Sequence, residues 1–564
     1  TAAPAGRGWA MLNRNLVIAA TSNLSTAYNL VVINIAHVII AYQYCGGADA
    51  CPAQVEAAAT ASLVGAILGQ LTFGYVGDCI GRGPALQITM ALSILGALIS
   101  AFATPFGDYP PSVLDFLALS RFLLGLGVGG VYPLSATIAT ESSSDASRGR
   151  NASIVFSMQG VAYLTAPLLA WLLLSTIGVP PTAAGSSDTG LAWRVMLGCG
   201  ALPGIALLPF KSAGGRNTPA KPSASFPEAM NAPINPAAAD SAAVPPNDDE
   251  APQIERVQTA PPAPARKVTL LGALRQRKYW GKLLGTAGGW FLFDITFYGN
   301  ALFQPTVLSA VFNVDEAVVK GGPSVSGDLA HNLCAQMAVV AAIGLPGYYV
   351  AVYHMDSVGR RRIQLQGFAC MAVTFATLGL AFEQMEKSET GRLVMLFLYG
   401  LTFFFSNYGP NSTTFILPSE TYPEEVRSTL NGFSAACGKL GATIGTSSFK
   451  PLKDSLTRAY GEAAGLRWTM LACSVVALFG LLVTFFFVED RRGFSMNGAV
   501  TTAPVEDSPA PVAANGDQSE GAGREEEGEA VEDGDEESSF IGREARLRLA
   551  GSSAGRPEAM VRAQ

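Results

Sequence analysis

Apolar residues run along this chain in long blocks, without the strict alternation of a strand or the single stripe of a surface helix. A helix crosses the hydrocarbon core of a bilayer with about 20 such residues. By that measure the chain holds twelve spans, near 15–41, 57–77, 86–106, 114–138, 151–178, 193–211, 281–311, 330–354, 363–384, 392–417, 429–451 and 467–489. Polar and Pro-rich stretches punctuate them. Residues 212–280 are rich in Pro, Ala, Ser and Asn and bury too little apolar surface to fold alone, so they are expected to be a disordered linker. Residues 490–564 form an acidic tail of the same kind, and residues 1–14 a short N-terminal segment.

The pattern repeats. Asp78-Cys-Ile-Gly81-Arg82 follows the second span and Asp356-Ser-Val-Gly359-Arg360 follows the eighth. Glu141 and Arg148 follow the fourth span, and Glu420 and Arg427 the tenth, each pair seven residues apart. Two copies of one plan predict an N-terminal six-helix bundle over 15–211 and a C-terminal one over 281–489. The fold class expected is therefore an all-α integral membrane protein with twelve transmembrane helices in two six-helix bundles. Lys and Arg favour the loops holding Arg82, Arg148, Arg150, Arg275, Arg277, Lys278, Arg360 to Arg362, Arg427, Arg491 and Arg492, which places both termini, linker and tail in the cytoplasm.

Composition narrows the class. Of 564 residues, 49% are hydrophobic and 14% charged, too apolar for an ordinary soluble enzyme. The net charge of −7 comes mainly from the tail, and no basic footprint for nucleic acid is present. Eight cysteines without a CxxC pair and three scattered histidines give no metal site. No nucleotide loop or nucleophilic constellation points to an enzyme or a cofactor. Cys45 and Cys51 share a loop placed outside the cell, where the oxidising environment leaves a disulfide open.

The chemistry lies in the polar residues inside apolar spans, because a charge in a membrane is costly without a partner or a task. Asp294 sits in WFLFDITFYGN, with Trp290 four residues before it and Tyr298 four after, all on one helical face. Lys439 sits among small residues in FSAACGKLGATIG. A purely structural Asp–Lys pair is one reading. With Tyr132, Gln159 and Asn411 as neutral donors, the set instead suits an oxyanion drawn by Lys439, and protonation of Asp294 would admit it. Arg121 opens RFLLGLGVGG, a stripe of small residues read chiefly as helix packing, with a coupling role for the arginine left open.

GYVGDCIGRG resembles the loop signature of the major facilitator superfamily, which implies gating roles for Asp78, Arg82, Glu141, Arg148, Asp356, Arg360, Glu420 and Arg427. GVGGVYPLSATIATES, IVFSMQG, WFLFDITFYGNALFQ, SNYGPNSTTFILPSETYPEEVRST and GFSAACGKLGATIG resemble the phosphate:proton symporters of plants and fungi within that superfamily. The resemblance implies secondary active uptake of inorganic phosphate at the plasma membrane. It also implies a phosphate site of Tyr132, Gln159, Trp290, Asp294, Tyr298 and Asn411, with Lys439 beside it.

Three positions depart from that family's acids: Val131 stands before the Tyr of GGVYPLS, and the first span reads Thr26-Ala27-Tyr28-Asn29. Three accounts of coupling stay open: Asp294 alone or aided by Glu141, His37 replacing a lost acid, or sodium bound around Thr26 and Asn29. The other functional readings are transport of a related oxyanion or an organic phosphate, and a non-transporting phosphate sensor whose tail binds cytoplasmic regulators.

Overall fold

The structure, a computed structural model, describes residues 14–45, 51–105, 112–177, 190–210, 268–302 and 327–490. The tail and most of the linker expected over 212–280 lie outside the described residues. Twelve spanning helices follow in chain order. The first five are Arg14–Cys45, Pro52–Ile80, Arg82–Ala101, Ser112–Glu141 and Arg148–Ile177. Leu191–Cys199 and Leu202–Leu207 make up the sixth. The seventh runs from Trp280–Leu283 through a π-turn at Leu284–Gly288 into Gly289–Leu302. Gly327–His354 and Arg360–Glu386 are the eighth and ninth. The tenth is Glu389–Ser406, a π-turn at Asn407–Asn411 and Ser412–Thr421, followed by Arg427–Tyr460 and Glu462–Phe487.

Among the described residues, nine helices are long and apolar enough to cross a membrane, and the sixth is a shorter apolar one. The seventh and eleventh fall outside both groups; each carries a buried charge, Asp294 in the one and Lys439 in the other. Large apolar side chains such as Leu119, Val373 and Phe486 face outward, as a lipid-covered surface requires.

The bundles are built alike. In the first, the second span packs on the fourth and the first on the fifth; in the second, the eighth packs on the tenth and the seventh on the eleventh. The small-residue stripe of the fourth span is packing: a methyl group at Gly125 or Gly129 would strike the Ser62 or Ala66 carbonyl of the second span. The halves meet where the second span crosses the eleventh and the fifth crosses the eighth. Gly74 and Gly432 let the first of these crossings close to backbone contact.

The repeated loops turn at Gly81 (φ 100°) and Gly359 (φ 93°), in a region that glycine alone enters without strain, which explains the G-R step of both copies. The eleventh span of 34 residues is about 51 Å long at 1.5 Å per residue, more than a bilayer core needs. Helical structure precedes the seventh span earlier than expected: Leu270–Leu274 and Arg277–Tyr279 fall within the stretch assigned to the linker. The cause is local apolarity. Ala273 and Tyr279 pack with Tyr422, Val426 and Leu430, and the two tyrosine rings meet edge to face at 6.0 Å. At the opposite end of the molecule Cys45 and Cys51 are joined in a disulfide.

Candidate substrate and coupling site

The seventh span turns Trp290, Asp294 and Tyr298 to one side, as their four-residue spacing predicts. The eleventh span lies against it, and Gly438 leaves room for the Trp290 indole beside Lys439. Lys439 Nζ donates to Asp294 Oδ2 at 3.0 Å and to Tyr298 Oη at 2.9 Å. Asp294 is 2% exposed and Lys439 3%. Trp290, one turn before Asp294, brings its indole to the same side. The ammonium also lies 4.5 Å from the Tyr298 ring centroid and 5.7 Å from that of Tyr132, so the first half contributes to the same cluster. Among the described residues Asp294 is the one buried carboxylate away from the charged loops.

Gln159 and Asn411 are placed further out, each near a tyrosine. Asn411 Nδ2 donates to Tyr348 Oη at 2.9 Å and to Asn407 Oδ1 at 2.8 Å. It ends the π-turn, within which Gly409 leaves helical geometry (φ −96°, ψ −109°) and packs on Gly367. Gln159 stands one turn before Tyr163, whose ring meets Phe297 edge-on at 6.0 Å, and its Oε1 is buried without a partner. Phe415 stacks on Phe156 at 4.6 Å and meets Tyr132 edge-on at 6.3 Å. Sequence reasoning passed over Tyr163 and Tyr348. Tyr163 follows Gln159 by four residues, a spacing that could have marked it; Tyr348 looks like any core aromatic.

The eight loop residues gather at one end and bind the halves together. Asp78 accepts hydrogen bonds from the Ser428 and Thr429 backbone N–H groups (3.2 and 2.7 Å) and from Thr429 Oγ1 (2.6 Å), at the start of the eleventh span. Asp356 does the same at the fifth span, accepting from Gly149 N (3.0 Å) and Arg150 N (2.9 Å). Each carboxylate thus sits on the positive end of a helix from the opposite half. Arg82 pairs with Asp78 at 3.1 Å and with Glu141 at 3.3 Å, and Arg427 crosses to Glu141 at 2.6 Å. Arg360 holds Asp356 at 3.0 Å and grips Glu420 through Nε and Nη2 at 2.9 and 2.6 Å. Arg148 pairs with Asp145 of its own loop, whereas Arg427 reaches across to Glu141.

Glu141, expected both to gate and to aid Asp294 in proton movement, lies in this loop network between Arg82 and Arg427. Asp78→Asn weakens one closure by about 1.5–3 kcal/mol, the worth of hydrogen bonds to a charged group, and is expected to shift the protein at least about tenfold toward opening at this end. Distances between spin labels on the second and eleventh spans would report it; unchanged distances would remove Asp78 from gating.

The residues expected to form a cation site lie along the first span, Thr26 and Asn29 about one turn apart and His37 about two turns further on. His37 Nδ1 bonds the Ile33 carbonyl one turn back at 2.6 Å. Asn29 Nδ2 donates to the Ser25 and Gly200 carbonyls at 2.9 and 2.8 Å, while Thr26 Oγ1 and Asn29 Oδ1 are buried without partners. Arg121 Nη1 donates to the Asn29 carbonyl at 3.1 Å, setting a cation beside the position. Val131 lies in an apolar cluster with Ala85, Leu86, Met90 and Leu134.

A sequence model of the Major Facilitator Superfamily matches residues 10–446. The chain is 34% identical over 467 residues to inorganic phosphate transporter 1-6 of Oryza sativa subsp. japonica, covering 80% of this chain and 84% of that protein. It is 31% identical over 496 residues to inorganic phosphate transporter 1-4 of Arabidopsis thaliana, covering 84% and 90%. Among solved structures it superposes on a proton:xylose symporter bound to 6-bromo-6-deoxy-D-glucose, with a TM-score of 0.59 and 17% identity over 85% of this chain and 96% of that one. At that identity the likeness concerns the fold.

Proposed function

Because this chain belongs to the major facilitator superfamily, in the family of the plant inorganic phosphate transporters, we propose that it takes up inorganic phosphate by proton-coupled alternating access. The observation that carries the reading is the buried Lys439–Asp294–Tyr298 cluster, with Tyr132 facing it from the other half. A lysine held by a carboxylate and a phenol is a cation whose partner can be changed. When Asp294 takes up a proton, its hold on the ammonium weakens and Lys439 is free for a phosphate oxygen. The hydroxyls of Tyr132 and Tyr298, the Trp290 indole, Gln159 and Asn411 supply further donors around the anion. Loss of the proton restores the pair and expels the anion as the halves rock.

In this reading the charged loops are cytoplasmic, so the bonds of Asp78 and Asp356 close the inner end and the disulfide-bearing end faces outward. The protein works at the plasma membrane, both termini are cytoplasmic, and the acidic tail is a docking segment for cytoplasmic regulators.

Sodium is the second reading, favoured by the unpartnered oxygens of Asn23, Thr26 and Asn29 on the first span. The Arg121 guanidinium bonded to Asn29 opposes a cation there, which makes the proton the better choice. In proteoliposomes an imposed proton gradient is expected to drive accumulation of labelled phosphate, and a sodium gradient at equal pH is not. Accumulation driven by sodium alone would overturn the assignment of coupling to Asp294.

A further inference from the structure

Among the described residues Arg121 is the most deeply buried charge that the proposed cycle leaves unused. It is 0% exposed, in the fourth span, eleven residues before Tyr132. At 1.5 Å per residue that is about 16 Å along the helix, toward the end away from the charged loops. Its guanidinium is always protonated. Nη1 is anchored on the Asn29 carbonyl, whereas Nε and Nη2 have no partner among the described residues.

The unpartnered edge is a specific one. Nε–H and Nη2–H point the same way and are spaced for two oxygens of one planar or tetrahedral oxyanion. Arg360 of this chain uses that same edge to grip the two carboxylate oxygens of Glu420. No described carboxylate pairs with Arg121; its charged or polar titratable neighbour is the Tyr28 phenol, already donating to the Met196 carbonyl. A cation that is buried, oriented by one bond and missing its counter-charge calls for an anion. Thr26 Oγ1, one turn before Asn29 and likewise unpartnered, is a hydroxyl on the adjoining span.

We propose that Arg121 forms a second anion site, separate from the Lys439 cluster, which takes a small inorganic oxyanion of the phosphate type through its Nε/Nη2 edge. The site lies on the outer side of the central cluster, where it would hold an anion before transfer to Lys439. This inference does not depend on the proton as the coupling ion.

The test is equilibrium binding of labelled phosphate to the purified full chain in lipid nanodiscs. The native protein is expected to bind two equivalents, Lys439→Met one, and Arg121→Met one. Arg121→Lys keeps the charge but loses the fork; it is expected to weaken the second equivalent at least tenfold, and it serves alone if the methionine variant does not fold. Excess sulfate in the Lys439→Met protein separates the sources. If phosphate persists, the site is reserved for the substrate; if sulfate displaces it, the site takes oxyanions generally. Either result supports the proposal, and displacement by chloride at equal concentration would overturn the oxyanion assignment. A single equivalent in the native protein, lost in Lys439→Met and kept in both Arg121 variants, would overturn the second site while leaving the central one standing. No binding in any of these proteins would sink both.

Discussion

Lys439→Met is expected to abolish phosphate uptake, with binding at the central site weakened by at least a hundredfold. The ammonium is the one cation in contact with Asp294 and Tyr298, and no other described base shares that cluster. A hydrogen bond from a charged donor to a phosphate oxygen is worth up to about 3 kcal/mol, a factor above one hundred. The variant also strands Asp294. Breaking a buried pair by removing one partner costs about 3–5 kcal/mol, so the protein should melt earlier as well. Loss of uptake alone would therefore not separate binding from stability. The double variant Asp294→Asn/Lys439→Met does: it leaves no buried charge in this cluster, is expected to recover most of the melting temperature, and should still fail to bind phosphate at the central site. Native uptake by Lys439→Met would remove this lysine from the site.

Asp294→Asn is expected to behave differently. The amide keeps the shape and can still accept from Lys439, but carries no charge and no titratable proton. Phosphate should still bind, since the lysine is no longer neutralised, and the protein should still exchange internal for external phosphate within a few-fold of the native rate. Uphill accumulation under a proton gradient should fall by more than about tenfold, the equivalent of about 1.4 kcal/mol or more of lost coupling. The dependence of uptake on external pH should flatten with it. Counterflow and gradient-driven uptake in the same vesicles measure both. Accumulation that keeps the native pH dependence in this variant would place the proton elsewhere.

Much of this arrangement could be read from the chain, for identifiable reasons. A bilayer forces apolar blocks of set length, so most spans appear in hydropathy, and the duplicated Asp-to-Arg loops reveal the halves. Asp294 and Lys439 stood out because a charge in such a block is expensive, and their pairing is observed. The spacing of Trp290 and Tyr298 gave the lining of one helix directly. The partners of Asp78 and Asp356 were not legible, because each carboxylate caps a helix of the other half, more than 200 residues distant. Nor were the π-turns at Leu284–Gly288 and Asn407–Asn411, which add a residue to a turn and depend on close neighbours such as Gly367. Tyr348 hid among apolar residues because an aromatic in a span is usually packing. Glu141 was legible as part of the loops, because its interval to Arg148 is matched by that of Glu420 to Arg427.

The solitary Asp294 carboxylate also sets the electrical character of the proposed cycle. Moving one elementary charge across 100 mV is worth about 2.3 kcal/mol. One proton on Asp294 accompanying a singly charged phosphate moves no net charge inward, and the empty carrier returns with Asp294 and Lys439 cancelling each other. The resting voltage of the cell would then neither drive nor resist this central step, and the depth to which phosphate accumulates would follow the acidity difference across the membrane.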